Sequence, residues 1–263
     1  MTTLLERIFK VKVLRKVAIL ILVLLISLLS TNAFSQGDNE TLQVIDQLLN
    51  QGENQQALHL LQKVPETVKG SLWRKARVQY EMGRIAESKS RRMEFFRQAE
   101  KYARDAIAID PDNSENYKWL AIALGGQAKY SATKDQIHQS REIKENIEKS
   151  LELNPDDDIS CLVLSRWNYK VSALGFFSRT IVRIVYGGLP KASLDEAENL
   201  LWKAIKLHDR VTHRYNLAKV YHRMDRRNDA IKQLHLALSL PVTFPEEVED
   251  QRKAKRKLQK WQK

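Results

Sequence analysis

Three stretches of this chain close on nearly the same words. They are Ala106-Ile-Ala-Ile-Asp-Pro111-Asp-Asn, Ser150-Leu-Glu-Leu-Asn-Pro155-Asp-Asp and Ala237-Leu-Ser-Leu-Pro241. A fourth, Ala204-Ile-Lys-Leu-His-Asp209, lacks the proline. Each has the spacing of an amphipathic helix running into a stop, and proline is a stop because it has no backbone N–H to donate. Ahead of each lies a second helical signature: Trp73-x-x-Ala76-x-x-x-Tyr80, Tyr117-x-x-Leu120-Ala121-x-x-Leu124, Leu164-Ser165-Arg166-Trp167-Asn168-Tyr169 and Tyr215-x-Leu217-Ala218-x-x-Tyr221. One pair of helices cannot bury its apolar face alone, so repeated pairs must stack. The expectation is an all-α solenoid of helical hairpins. Composition agrees. Gly (9) and Pro (6) are too scarce for a turn-rich all-β fold, and 43% hydrophobic residues suffice for a packed core.

The pattern is that of a tetratricopeptide-like repeat. Such a motif wants large, Leu, small and aromatic residues on helix A, then Ala, Leu or aromatic, and Ala on helix B, then Pro. The last repeat meets it with Leu217, Ala218 and Tyr221, then Ala230, Leu234, Ala237 and Pro241. Small residues let antiparallel helices approach, and large ones fill the gaps beside them. The first two repeats exceed the roughly 34-residue period by about ten residues, and the third by about twenty. The additions include Ser88–Met93 and Ser131–His138. Their helical composition predicts longer helices or a third helix rather than a loop. The repeat domain is expected over 70–245, with a helical hairpin over 36–69 and a basic C-terminal helix over 246–263. Residues 37–40 read as a short linker.

Residues 1–16 carry Arg7, Lys10, Lys12, Arg15 and Lys16 against Glu6, and no charge follows from Val17 to Gln36. A basic start, an apolar run and the small-x-small site Ala33-Phe-Ser35 make an export signal over 1–35. Two fates fit: a cut at Ser35-Gln36 that leaves a periplasmic protein, or an inner-membrane anchor over 17–36, which is long enough to span as a helix. Basic residues stay on the cytoplasmic side. Cleavage takes five basic and one acidic residue with it and lowers the net charge from +12 to +8. A basic balance favours anionic partners and says nothing of fold. The single cysteine, Cys161, sits in the apolar run Cys161-Leu-Val-Leu164 and reads as a core residue.

With the repeats placed, residues from about 70 to 245 resemble the regulator of microtubule dynamics family. The resemblance rests on Asn116-Tyr-Lys-Trp-Leu-Ala-Ile-Ala-Leu124, Lys144-Glu-Asn-Ile-Glu-Lys-Ser-Leu-Glu-Leu-Asn-Pro155, Leu164-Ser-Arg-Trp-Asn-Tyr-Lys-Val-Ser172, Tyr186-Gly-Gly-Leu-Pro190 with Leu194-Asp-Glu-Ala197, and Ala237-Leu-Ser-Leu-Pro-Val242. The Arg-Trp-x-Tyr and Gly-x-x-Pro stretches are not generic repeat features. The resemblance implies a non-enzymatic helical scaffold. In the family such domains are linked to microtubules, to mitochondrial or endoplasmic-reticulum surfaces and, in one member, to phospholipid binding and transfer. The first 70 residues depart from the family, and the export signal looks bacterial. Fold and partner or lipid binding therefore carry over as expectations, and microtubule binding does not.

The candidate ligand groove combines Tyr117, Leu120, Arg166, Trp167, Tyr169 and Tyr215 on A helices with the insertion residues Phe176, Phe177, Arg179, Ile181 and Arg183. The A helices of such arrays usually face the concave surface, where ligands bind. Arg166 can pair there with a carboxylate or phosphate, or serve an internal ion pair. The segment 173–186 has an apolar face and an arginine face. That suits an amphiphile groove, an anionic membrane surface or a plug in the core. The basic runs Arg84–Arg97 and Arg252–Lys260 are helix faces that water or an anionic surface can cover. The second lacks the interleaved aromatics of single-strand binders, which disfavours nucleic acid. None of the six histidines falls in a metal or catalytic motif, and Asp156-Asp-Asp158 reads as a helix cap. No cofactor, metal or catalytic residue is expected. The leading expectation is a scaffold for an unidentified protein partner in the cell envelope, with polar groove residues Asn116, Lys118 and Arg166 exposed. The alternatives are a phospholipid or amphiphile carrier and a structural subunit of an envelope assembly.

Overall fold

The computed structural model describes residues 37–174 and 187–262. The signal or anchor over 1–35 and the insertion residues Phe176, Phe177, Arg179, Ile181 and Arg183 lie outside the described residues. The chain divides into two compact units between Ile45 and Asp46. In the first, residues 37–45 are helical. This corrects the expected linker at 37–40, whose Gly-Asp-Asn-Glu composition is turn-like. Here the helix runs through it, and the Thr41 hydroxyl donates to the Gly37 carbonyl at 2.9 Å.

The second unit opens with helical residues 46–51 (α1). These are followed by α2 (Asn54–Leu61), α3 (Ser71–Ile85), α4 (Lys89–Ile109), α5 (Ser114–Gln127), α6 (Thr133–Leu153) and α7 (Asp158–Ser172). Beyond the undescribed insertion come α8 (Leu194–Leu207), α9 (Val211–Arg223), α10 (Arg227–Ser239) and α11 (Pro245–Trp261). All the described secondary structure is helical. The pairs α3/α4, α5/α6, α7/α8 and α9/α10 pack as hairpins, and each B helix packs against the next A helix. The additions in the first two repeats are longer B helices, since α4 and α6 have 21 residues against 14 in α8 and 13 in α10.

Side-chain caps fix several of the starts. Ser88, Asn113, Asp157 and Ser193 each accept from a backbone N–H in the first turn. Pro245 opens α11, and the buried Glu247 carboxylate accepts from the Thr243 and Phe244 N–H groups at 2.8 and 3.3 Å. That helix is a cap on the array. Ala254, Leu258 and Trp261 are buried in the same cluster as Leu217, Tyr221 and Leu234, while its basic side chains stay outside the core. A second cluster joins Leu72, Trp73, Ala76, Leu120, Leu124, Ile147, Leu164 and Trp167.

Two features lock the stack. A Cβ on Gly83 or Gly126 would meet the buried Phe96 ring at 2.7 Å or 3.0 Å, so the ring of α4 is held between glycines of α3 and α5. The third residue of α5, α7 and α9 is polar, buried and turned back to the end of the preceding hairpin. Asn116 donates to the Ala106 and Asp110 carbonyls at 3.0 and 2.7 Å. The Ser160 hydroxyl meets that of Ser150 at 3.0 Å, and His213 Nδ1 lies 2.8 Å from the His208 carbonyl. These side chains tie the start of each A helix to the end of the helix before it.

Candidate functional site

The described groove residues divide into two sets. Leu120 and Trp167 belong to the core; the Trp167 indole donates to the Ser140 carbonyl at 2.7 Å. Tyr117 is half-buried on α5. Arg166, Tyr169 and Tyr215 do come together. Asn116 and Lys118, expected to be exposed in an open groove, are buried at 2% and 7%. Asn116 is the lock described above. Lys118 forms an ion pair with Asp157 at 2.6 Å and another with Glu115, bridging the second and third hairpins. Burial alone would lower the Lys118 pKa, but Glu115 and Asp157 more than offset it and raise it. Asp157 is held below the usual carboxylate range because Lys118 and the Ser160 and Ile159 N–H groups outweigh its burial.

The inner face centres on Arg166 of α7. Its side chain is 42% exposed, reaches Asp250 of α11 at 3.7 Å and donates to Asn216 of α9 at 3.3 Å. Its field acts on Tyr80 of α3, on Lys129 just after α5, on Lys170 of α7 and on Tyr215 and Lys219 of α9. Groups from every A helix except α5, from the turn beyond α5 and from the cap thus converge on one region. Arg223 lies over the Tyr169 ring at 3.9 Å, and the Lys219 ammonium lies 4.8 Å from the same ring. Across the mouth, Arg84 of α3 pairs with Glu81 at 2.5 Å and approaches Glu246 of α11 at 3.9 Å. The first basic run is therefore partly engaged, with Arg92 donating to the Ala86 carbonyl and to Tyr130.

Lys129, Lys170 and Lys219 have no carboxylate partner among the described residues, nor does Lys257 of α11 beside them. Lys219 is half-buried, whereas Lys129 and Lys170 are exposed at the edge of the face; desolvation by the surrounding protein lowers all three pKa values, and neighbouring cations lower them further. For Lys219 the result is about 7, with Arg166, Lys257 and Lys170 depressing it and only Asp250 opposing. Sequence reading missed these lysines, although one signal was available. Arg166 and Lys219 each stand nine residues beyond their helix's N-cap, Asp157 or Arg210, so they occupy the same repeat position.

Other candidates are structural. Cys161 is fully buried, and burial pushes its thiol up to about 11. His213 is also fully buried, with Nε2 3.4 Å from Asp158, which also pairs with Arg210 at 2.8 Å. No group of His, Cys, Asp and Glu among the described residues is arranged to hold a metal ion. No described helix is long and apolar enough to cross a membrane. A cleft of about 580 Å³ is lined by Asn168, Val171, Leu174, Leu189, Pro190 and Glu196 among others. Its rim, residues 187–193, is held by Arg141 donating to the Gly188 carbonyl at 3.1 Å and by Asn168 accepting from the Ser193 N–H at 3.2 Å.

Stacked hairpins with an inner charged face and a terminal capping helix define the tetratricopeptide-like scaffolds. A tetratricopeptide protein of Thermus thermophilus, known from its crystal structure, superposes with a TM-score of 0.57 over 85% of this chain and 98% of that one, at 16% identity. That likeness is one of fold. The family model described as regulator of microtubule dynamics protein 1-3 matches residues 41–262, and the chain belongs to that family. Similar relatives include regulator of microtubule dynamics protein 3 of Xenopus laevis, 32% identical over 68% of this chain, and regulator of microtubule dynamics protein 1 of Bos taurus, 29% identical over 60%. The matched stretches span only 39% and 50% of those relatives' own lengths.

Proposed function

We propose that the chain is a non-catalytic scaffold that holds a segment of a partner protein on the inner face around Arg166. The observation that carries this reading is the convergence of Tyr80, Arg166, Tyr169, Tyr215 and Lys219 from the A helices α3, α7 and α9 with Asp250 of the cap. Tyrosines over which Arg223 and Lys219 sit supply flat, amphipathic contact area, and arginine is a frequent anchor residue in protein interfaces. The uncharged stretch 17–36 supports placing this scaffold in the cell envelope, either anchored or released.

Site-specific photocrosslinking tests the reading. A photoreactive residue at Tyr169 is expected to trap a discrete partner in cells, whereas one at the outward-facing Lys101 on α4 is not. Equal labelling from both positions would refute an inner-face site. A second reading, amphiphile carriage, is favoured by the cleft beside Val171, Leu174 and Leu189. Native mass spectrometry would then show a stoichiometric phospholipid that is lost in Val171→Asp. An empty wild-type protein counts against it.

A further inference from the structure

We propose that the inner face selects an acidic segment of its partner, the carboxylates being received by Arg166, Lys170 and Lys219 with Lys129 nearby. This rests on the peptide-holding reading above and adds the chemistry of the ligand. Glu81 is engaged by Arg84, and Glu115 and Asp157 by Lys118. Asp250 accepts from Thr212 at 2.9 Å and is shared between Lys253 at 3.6 Å and Arg166 at 3.7 Å. The inner acids are therefore already occupied. Lys129, Lys170 and Lys219 come from three different places in the array, yet each lies in the field of Arg166 and none has a carboxylate partner among the described residues.

Lys219 is half-buried, and gathering Arg166, Lys129 and Lys170 around it opposes folding by like-charge repulsion that the same residues spaced apart on outer faces would avoid. A concavity lined by one sign of charge focuses the field and draws in the opposite sign. Acidic side chains entering it would replace lost hydration with ion pairs, and the tyrosine rings of Tyr169 and Tyr215 would flank the aliphatic parts of the segment. An extended chain suits the site better than a point anion because the cations are distributed along α7, α9 and the turn after α5.

The proposal has a second, independent signature. Lys219 is faced by Arg166, Tyr169 and Lys170 from α7, by Asp250 and Lys257 from α11, and by Tyr215, Asn216 and Arg223 from its own helix. With a pKa of about 7 in the free protein, it is partly uncharged at neutral pH. A bound carboxylate raises that value, so binding takes up a proton. Affinity is then greatest below about pH 7 and falls as pH rises above it.

The test uses the full chain and two fluorescent peptides of equal length, one rich in Glu and one with Gln in place of every Glu. Fluorescence anisotropy is measured at low and high salt and across pH, alongside flotation with anionic phospholipid vesicles. The expected result is that the Glu peptide binds at least about tenfold more tightly than the Gln peptide and weakens with salt. Arg166→Gln and Lys219→Met should each weaken it about tenfold with unchanged helical signal, and Lys219→Met should also remove the pH dependence. Equal binding of both peptides, still reduced by Tyr169→Ala, would overturn the charge preference and leave the peptide scaffold standing. Vesicle binding without peptide binding would overturn both in favour of a lipid headgroup. Binding of neither by a folded protein would overturn both as well.

Discussion

Changing Asp157 tests how the second and third hairpins are joined. Its carboxylate does two things at once. One oxygen caps α7 through the Ser160 N–H at 2.7 Å, and the other pairs with buried Lys118 of α5 at 2.6 Å. Asp157→Ala removes both. Loss of a cap costs about 1 kcal/mol. Stranding one member of a buried pair costs about 3–5 kcal/mol, and the lower end applies because Glu115 still faces Lys118. The sum is about 4 kcal/mol, or a fall in Tm of roughly 10 °C for a chain of this size. Asp157→Asn retains a capping oxygen and should cost about 1 kcal/mol less. Adding Lys118→Met to Asp157→Asn removes the stranded charge and should recover at least half of the loss. The assay is thermal unfolding followed by helical circular dichroism. If the double variant is no more stable than Asp157→Asn, the loss does not come from a stranded charge and the reasoning fails. Acid gives a parallel check. Because the folded pKa of Asp157 is lowered, its contribution is present above the ordinary carboxylate value and should disappear as pH falls through the folded one.

Gly83→Ala should cost about 2 kcal/mol, because its methyl group would stand 2.7 Å from the Phe96 ring and Gly126 closes the other side; a urea midpoint matching wild type would show that the ring has room to move. His213 has its pKa lowered, first by burial and then by Arg210 and Arg166, against the opposing pull of the His208 carbonyl and Asp158. Its contribution is therefore full above the ordinary histidine value of about 6.5 and is lost as pH falls below it. The urea midpoint should drop between about pH 7.5 and about pH 5.5, and the slope should flatten in His213→Asn; an unchanged slope would assign the acid sensitivity elsewhere.

The hairpins were legible because their apolar periodicity and stop residues are local. The endings at Ala106–Pro111, Ser150–Pro155 and Ala237–Pro241 fall at the ends of α4, α6 and α10, and the unusual lengths of the first two repeats became long B helices. The inner face was only partly legible because exposure of a polar side chain depends on partners far along the chain. Lys118 looks like a groove residue until Asp157, 39 positions away, is found beside it. Asn116 looks exposed until its amide is seen to donate to the Ala106 and Asp110 carbonyls at the end of α4. Aligning the repeats on their caps would have separated the cases. The third position, held by Trp73, Asn116, Ser160 and His213, is buried in all four A helices.

The same alignment explains why the two halves of the array differ. Thirteen residues beyond the respective N-caps stand Gly83, Gly126, Lys170 and Arg223. In the first half this position is empty of side chain, and Phe96 of the long α4 occupies the space. In the second half the B helices are shorter, and the position carries a cation beside Tyr169: Arg223 stacks on the ring and Lys170 adjoins it in sequence. A glycine there closes the stack onto an aromatic core, whereas a lysine or arginine leaves that wall open and charged. The site therefore centres on the third and fourth hairpins and the cap, and the first two border it with Tyr80 and Lys129 and otherwise serve as support. Gly126→Lys should consequently destabilise the array without adding to the anion-binding face, whereas Lys170→Gly should weaken the face and spare the fold.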